Sequence, residues 1–430
     1  MKNSLLVLRL AYSVGFIFLG TAELVAEGLD DFADSSAEIW VDGPQIVTPG
    51  NVPNFSDVAM DGQGRSIYVW RALTANGNDV FTRRFNRFGA PLDNPQLVNT
   101  LVADDQSNPR VAVSSDNTYL VIWQSNEPDP EDEDRERRWV RSQLFDASGA
   151  KQGSEQLISN LSTGRVVDAH ADVAALTGGG YMVVWASANA SGPDTNANIQ
   201  GRLLSAAGIP MATQFQVNSR TGESEFEPAV AALDGGGYLA VWEAGDIYGR
   251  EFSSSGEGLG NDFLITTSSA GAENNPDVIQ SNDNTVLVVW EDADEAGNDF
   301  EIRGRMLNSA LAGIGDDFRI NQLIEDAQRN VRVGHLAGVG YLVAWMSDVT
   351  SGSDDDRSIQ ARIVTGANQF EGNQFQVNQW TTDAQDDPAV GGRAGFLSVS
   401  WSSGSNSETQ SNVILARTWS ICGIFCDSFE

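Results

Sequence analysis

Seven short apolar runs, each ending in or next to tryptophan, recur along this 430-residue chain about every 55 residues. The run from Tyr238 to Trp242 ("YLAVW") is typical of them. A regular repeat of this length means that each unit is one supersecondary element, which buries its apolar face only against its neighbours. The tryptophans that mark the repeats are Trp70, Trp123, Trp185, Trp242, Trp290, Trp345 and Trp401.

Each repeat carries the pattern of four β-strands. A valine run and a turn precede the tryptophan run, which predicts a hairpin. A third strand follows with an arginine at its centre, and a fourth reads Phe-x-Val/Ile-Asn, as from Phe375 to Asn378. Four strands per repeat correspond to one propeller blade. The repeated arginines are Arg83, Arg202, Arg250, Arg305, Arg362 and Arg417, and the second repeat has Gln143 instead.

The seventh repeat lacks a fourth strand of its own. The segment 45–48 ("QIVT") near the N-terminus matches the fourth-strand pattern of 96–99 ("QLVN"). If it pairs with the strand that contains Arg417, it completes the last blade and removes two exposed sheet edges. The sequence therefore predicts an all-β fold, a seven-bladed β-propeller over residues 38–419 that is closed by an N-terminal strand.

The two ends of the chain lie outside this repeat. Residues 1–26 have the basic start and short apolar run of a signal peptide, and 27–37 form a linker. We expect export, with the mature protein secreted or held at the cell surface, at the outer-membrane exterior or in the periplasm. The tail, residues 420–430, holds both cysteines. Cys422 and Cys426 are predicted to form a small disulfide, the alternatives being lipid or partner attachment or free thiols.

The net charge of −33 limits the partners of this chain. Such a surface repels phosphate backbones and anionic lipid, so nucleic acid and membrane surfaces are not expected partners. No later segment is apolar for long enough to span a bilayer as a helix. A monomer that binds an extracellular protein or glycan is the expectation.

The repeated tryptophans and arginines are predicted to be structural. Each tryptophan run is almost wholly apolar, as expected for a strand packed between two blades. The arginine is expected to pair with a carboxylate or with blade carbonyls, since its forked donors suit that role. Trp139 and Trp380 fall outside the pattern and are the better candidates for exposed contacts.

Acidic segments follow several of the tryptophan strands, and they suggest one ligand, Ca²⁺. Calcium takes six to eight oxygen ligands from flexible loops. The set Asp292, Asp294, Asn298 and Asp299, with Gly297 for a tight turn, is the best candidate, and a solvated acidic loop is the alternative. No cofactor is required by anything else in the sequence.

The repeats resemble an exported bacterial propeller repeat ("GGYVVVW…IxxRxF…FxVN") that occurs in large surface and RTX-associated proteins. The tail "IFCDSFE" is similar to the Phe-Glu-ending tails of secreted Gram-negative proteins, which suggests sorting or anchoring. The resemblance implies the propeller fold over nearly all of the mature chain. It implies no particular activity.

Catalytic motifs are missing from the sequence. The two histidines, His170 and His335, lie in different repeats at different distances from the tryptophan, and the many carboxylates single out no glycosidase pair. The sequence therefore favours a binding or display module without catalysis. The alternatives are a polysaccharide hydrolase or lyase with its site at the mouth of the propeller channel, and a structural envelope module.

Overall fold

The structure is a computed structural model that describes residues 37–42, 54–102, 105–129, 132–159, 166–189, 196–220, 222–267, 271–293, 300–348, 357–381, 383–404 and 412–420. Every regular element in these ranges is a β-strand, and together the strands form seven four-stranded blades. The prediction of an all-β, seven-bladed β-propeller is confirmed.

The N-terminal strand and the first three blades follow one another along the chain. The N-terminal strand is β1 (Ile39–Trp40). Blade 1 contains β2 (Asn54–Met60), β3 (Ser66–Thr74), β4 (Gly77–Phe85) and β5 (Gln96–Leu97). Blade 2 contains β6 (Gln106–Val113), β7 (Tyr119–Asp129), β8 (Asp132–Phe145) and β9 (Lys151–Leu157). Blade 3 contains β10 (Val166–Ala175), β11 (Tyr181–Asn189), β12 (Ala197–Leu204) and β13 (Phe215–Gln216), and one parallel bridge joins it to blade 2.

The last four blades repeat the same order. Blade 4 contains β14 (Phe226–Ala232), β15 (Tyr238–Ala244), β16 (Asp246–Phe252) and β17 (Phe263–Leu264). Blade 5 contains β18 (Glu273–Gln280), β19 (Val286–Ala293), β20 (Phe300–Leu307) and β21 (Phe318–Arg319). Blade 6 contains β22 (Gln328–Leu336), β23 (Gly340–Ser347), β24 (Ser358–Gly366) and β25 (Gln369–Gln376). Blade 7 contains β26 (Gln385–Arg393), β27 (Phe396–Ser403) and β28 (Val413–Ser420), and β1 adds its fourth strand.

The core consists of seven apolar layers, one between each pair of neighbouring blades. One layer packs Met182 and Val184 of blade 3 against Tyr238 and Trp242 of blade 4. The second strand of each blade is covered on both faces, which explains its almost continuous apolar sequence. All seven repeated tryptophans have at most 1% of their surface exposed.

The repeated arginines tie each blade to the one before it. In six blades the Nη1 atom donates to the carbonyl of the apolar residue that follows the fourth strand of the preceding blade, at 2.6–3.0 Å. Arg250, for example, bonds Val217. In blade 2, Gln143 instead donates to two carbonyls of its own blade, Leu144 and Gln152.

The strand that closes the ring is β1 rather than the predicted 45–48, a segment that lies outside the described residues. Ile39 pairs with Ala416 and Trp40 with Leu415. The next residue, Val41, is fully buried and its carbonyl accepts the hydrogen bond of Arg83, the contact that Val217 makes with Arg250. The sequence 38–42 ("EIWVD") fits the fourth-strand pattern with Asp in place of Asn, and the prediction of 45–48 was wrong because two nearby segments share that pattern.

Glu38 completes the same repeated contact on the other side of β1. The residue after the fourth-strand Asn of a repeat donates its N–H to a side chain just before the fourth strand of the next blade, as Ser219 does to Asp262 at 2.8 Å. The N–H groups of Gln379 and Trp380 bond Glu38 in this way. The N-terminal segment is therefore a full member of the ring.

Val41→Asp tests this closure. Val41 packs in the layer between blades 7 and 1 with Val58, Trp70 and Ile414. An unpaired carboxylate there is expected to lower the free energy of unfolding by roughly 3 kcal/mol or more. The matched control is Val102→Asp, at an exposed valine, with an expected change within about 0.5 kcal/mol. Equal denaturation midpoints for the two variants would contradict closure by β1.

Candidate active site at the channel mouth

The first strand of every blade lines the central channel and carries a β-bulge near its start. At each bulge a residue other than glycine has a left-handed backbone, with φ between 46° and 55°. Such conformations cost free energy and gather at functional sites. We call these seven residues the mouth ring: Phe55, Asn108, His170, Glu227, Asn275, Asn330 and Asp387.

The mouth ring surrounds a cavity of about 730 Å³ that receives residues from all seven blades. Because neighbouring strands within a blade are antiparallel, the starts of the first strands share this end with the ends of the second strands. The residues that directly follow the repeated tryptophans in blades 4 and 5, Glu243 and Glu291, therefore reach the same cavity.

Two residues further along each first strand, a second ring of mixed charge lies deeper in the channel. Three aspartates each accept a 2.8 Å hydrogen bond from a valine N–H of the next blade, as Asp172 does from Val230. Burial raises the pKa of Asp172 to about 7, because the charge of Arg110 offsets the lost hydration only in part and Asp277 adds repulsion. The deep ring consists of Asp57, Arg110, Asp172, Ala229, Asp277, Arg332 and Ala389.

Three glutamates meet at the mouth between blades 4 and 5. Glu227 accepts the N–H of Asn275 at 2.8 Å. Glu291 accepts the amide of Asn275 at 2.7 Å and the N–H of Asn330 at 2.6 Å. Both carboxylates are thus held by donors from the mouth ring.

Glu243 is the protonated member of this cluster. Burial, the charge of Glu227 and a hydrogen bond between the two side chains raise the pKa of Glu243 to about 8, and Glu291 adds further repulsion. At neutral pH the Glu243 carboxyl therefore keeps its proton and donates it towards Glu227. The site combines a protonated carboxyl with a neighbouring carboxylate, which is an acid–base pair.

His170 lies close to the Glu243–Glu227 pair, whereas His335 lies outside the cavity. The Nδ1 atom of His170 lies 3.8 Å from a carboxylate oxygen of Glu227. Burial lowers the pKa of His170 despite the charge of Glu227, so the imidazole is neutral at pH 7. His335 lies on β22 against the ring of Tyr341 and does not line the cavity.

The spacing of the mouth-ring residues in the sequence is a signal for this site that no catalytic motif contains. In six repeats the mouth-ring residue comes 15 positions before the tryptophan, and in the seventh 14 positions before it. The residue three positions after the mouth-ring residue is valine in every repeat, as at Val230. The mouth-ring residue itself is Phe, Asn, His, Glu or Asp. A position that varies among Phe and polar side chains within an otherwise constant repeat suggests function rather than packing.

None of the predicted calcium ligands and cysteines is among the described residues that line the cavity at the channel mouth. Asp292 lies on β19, with a carboxylate oxygen 3.4 Å from Nε of Arg303. Asp294, Asn298 and Asp299, like Cys422 and Cys426, lie outside the described residues. The described part of the chain has no group of three or more acidic, His or Cys side chains placed to hold a metal ion. The calcium and disulfide predictions stay predictions.

Trp139 and Trp380 differ from the seven repeated tryptophans. Trp139 lies on β8 opposite Ser125 and is half-buried. Trp380 is 37% exposed, and its backbone N–H bonds Glu38.

Calcium dependence can be measured directly. We expect NaCl to raise the melting temperature of the mature chain, because it screens the excess of negative charge. Specific Ca²⁺ binding would add about 2.7 kcal/mol at a hundredfold excess over Kd. The test compares melting in EDTA, in millimolar Ca²⁺ and in NaCl of equal ionic strength. The expected result is equal shifts in the two salts, and a larger Ca²⁺ shift that Asp292→Asn with Asp294→Asn removes would establish the site instead.

The pKa of Glu243 also predicts how stability depends on pH. Its pKa is raised in the folded state, so this group favours folding most below its unfolded pKa, and that contribution is lost as pH rises through about 8. Glutamine does not ionise, so the Glu243→Gln variant does not lose this stability as pH rises. We expect the variant to gain stability relative to the parent protein between pH 5 and 9, by on the order of 1–2 kcal/mol after solvent screening. Parallel pH profiles of urea midpoints for the two proteins would contradict this account of the site.

No protein-family model matches this sequence, and no curated protein matches it. Solved structures do. A Dyadobacter fermentans protein of unknown function has a TM-score of 0.53 at 10% identity, covering 89% of this chain and 97% of its own. The Hadza microbial sialidase Hz136 has a TM-score of 0.50 at 8% identity, and the match covers 90% of this chain and 69% of the sialidase chain. A Penicillium chrysogenum α-L-arabinanase, solved with arabinobiose, has a TM-score of 0.45 at 10% identity, and the match covers 90% of this chain and 98% of the arabinanase chain.

At identities of 8–10%, the structural similarity shows the fold alone. The chain has the β-propeller fold. The described part of the chain includes no helix that is long and apolar enough to cross a membrane.

Proposed function

We propose that this propeller is a glycoside hydrolase whose active site is the glutamate cluster at the channel mouth. The observation that carries the proposal is the pairing of a protonated Glu243 with Glu227 and Glu291 in a cavity large enough for a sugar unit. Glycosidases use a carboxylic acid and a carboxylate about 5 Å or more apart on the two sides of the scissile bond, so a bound sugar has to replace the hydrogen bond between Glu243 and Glu227. Sequence alone favours binding without catalysis, and the geometry favours the hydrolase alternative.

The three glutamates have different environments and so different roles. Glu243 is the general acid, which protonates the leaving glycosidic oxygen. Glu227 is 32% exposed and accepts a hydrogen bond from the N–H of Asn275, so it is the carboxylate that faces the sugar. Glu291 is buried, which raises its own pKa, and hydrogen bonds from Asn275 and Asn330 hold its side chain near Glu243.

The charge of the mouth argues for hydrolysis rather than elimination. A lyase removes a proton next to a uronic acid carboxyl and needs cations to stabilise the enolate that forms. Seven carboxyl side chains and three arginines line this cavity. An anionic sugar would be repelled there, so we propose a neutral glycan as the substrate. Export to the cell exterior, expected from residues 1–26, would bring the protein to such a substrate.

The test is a hydrolysis screen of the purified mature chain on neutral plant and microbial polysaccharides and on aryl glycosides. The readout is the release of reducing ends or of the aryl group. Turnover that disappears in a Glu227→Gln/Glu243→Gln double variant supports the proposal. Glycan binding by the parent protein without turnover would establish the binding module instead.

A further inference from the structure

Three phenylalanine rings line the polar mouth. Phe55 is 38% exposed and Phe226 is 42% exposed, and Phe300 is partly buried beside them in the cavity wall. Leaving an apolar ring in water is unfavourable. In the wall of a concave site, such rings offer apolar surface that a bound ligand can cover.

Two of these rings are held from behind by arginine. The guanidinium of Arg71 lies 4.8 Å from the centre of the Phe55 ring, and its Nε donates to Asn54 at 2.8 Å. The guanidinium of Arg329 lies 4.2 Å from the centre of the Phe300 ring. A cation over one face fixes the ring. Phe55 nevertheless remains 38% exposed and lines the cavity.

The rings fall on two sides of the mouth. Phe226 directly precedes Glu227, and Phe300 pairs with Ala293, two residues beyond Glu291. Phe55 belongs to blade 1, which is three blades away from blade 4 in one direction and from blade 5 in the other. Phe226 and Phe300 are therefore beside the glutamates, whereas Phe55 lies across the channel from them.

We propose that Phe55 is a stacking platform for a sugar ring remote from the cleaved bond, so that the substrate is an oligosaccharide or polysaccharide that crosses the mouth. This inference rests on the proposed function. Sugar rings place their C–H faces against aromatic rings while their hydroxyls bond polar neighbours. Asn54 and Asn108 are such neighbours on blades 1 and 2.

Phe55→Leu tests the platform, with Phe88→Leu as the control. Phe88 is 79% exposed, in the hairpin between β4 and β5 at the opposite end of the same blade. On the sugar that the protein cleaves, Phe55→Leu is expected to raise KM for long oligomers about 5- to 10-fold, with kcat and the aryl monoglycoside unaffected. An equal effect on the monoglycoside, or none beyond that of Phe88→Leu, would overturn the inference and leave the hydrolase standing.

A binding assay separates this inference from catalysis. Glu243→Gln protein, with and without Phe55→Leu, is run by affinity electrophoresis in gels that contain each neutral polysaccharide. Retardation that Phe55→Leu weakens supports the platform, even if the parent protein cleaves nothing and the hydrolase proposal fails. Retardation that Phe55→Leu leaves unchanged, or no retardation in any gel, overturns it.

Discussion

Glu243→Gln is expected to lower kcat/KM for glycan hydrolysis about 10²- to 10⁴-fold, the usual contribution of a general acid. Glutamine keeps the shape of the side chain but has no proton to give. The pH profile of the parent protein should lose activity as pH rises through about 8, where Glu243 ionises. The activity of the variant should not fall in this way as pH rises through about 8.

Two controls separate loss of the acid from loss of the fold. Aryl glycosides with acidic leaving groups need little protonation, so Glu243→Gln should retain most of its rate on them. Glu257→Gln, at an exposed glutamate in the hairpin of the same blade at the other end of the propeller, should behave as the parent protein. An equal loss on all substrates would contradict the role of Glu243.

Trp242→Ala is expected to lower the free energy of unfolding by roughly 3–5 kcal/mol, the range for emptying a buried aromatic site. Trp242 is fully buried between blades 3 and 4, where it packs with Met182 and Tyr238. The control is Trp380→Ala, at the most open tryptophan that the structure describes, with an expected loss below about 1 kcal/mol. Similar losses for both in denaturant melts would mean that the tryptophan strands are not the core.

The repeat made the fold predictable because each blade solves the same packing problem. Trp242 and its six equivalents had to be covered on both faces, and only neighbouring blades could cover them. The position of the closing strand was less certain, since 38–42 and 45–48 have similar apolar patterns and a two-residue strand carries little sequence information. Its assignment depends on contacts of Val41 and Glu38 with residues more than 40 and 300 positions away.

The candidate active site was not predictable in the same way. Glu227, Glu243 and Glu291 come from two blades, and 59 acidic residues in the chain gave no reason to select them. Their chemistry depends on burial and on mutual distance, which the sequence does not encode locally. The pKa of Glu243, for instance, is raised by its burial, by Glu227 from the neighbouring strand of its own blade and by Glu291 from the next blade. The packing of blade 4 against blade 5 brings these groups to one mouth.

The most direct measurement of the central claim is cleavage of a neutral oligosaccharide in water labelled with heavy oxygen. Mass spectrometry of the products shows where the label enters. Hydrolysis at the glutamate cluster predicts one labelled oxygen at the newly formed sugar end, and loss of all product in the Glu227→Gln/Glu243→Gln double variant. An unsaturated, unlabelled product, or labelled product that the double variant still forms at the parent rate, would contradict the claim.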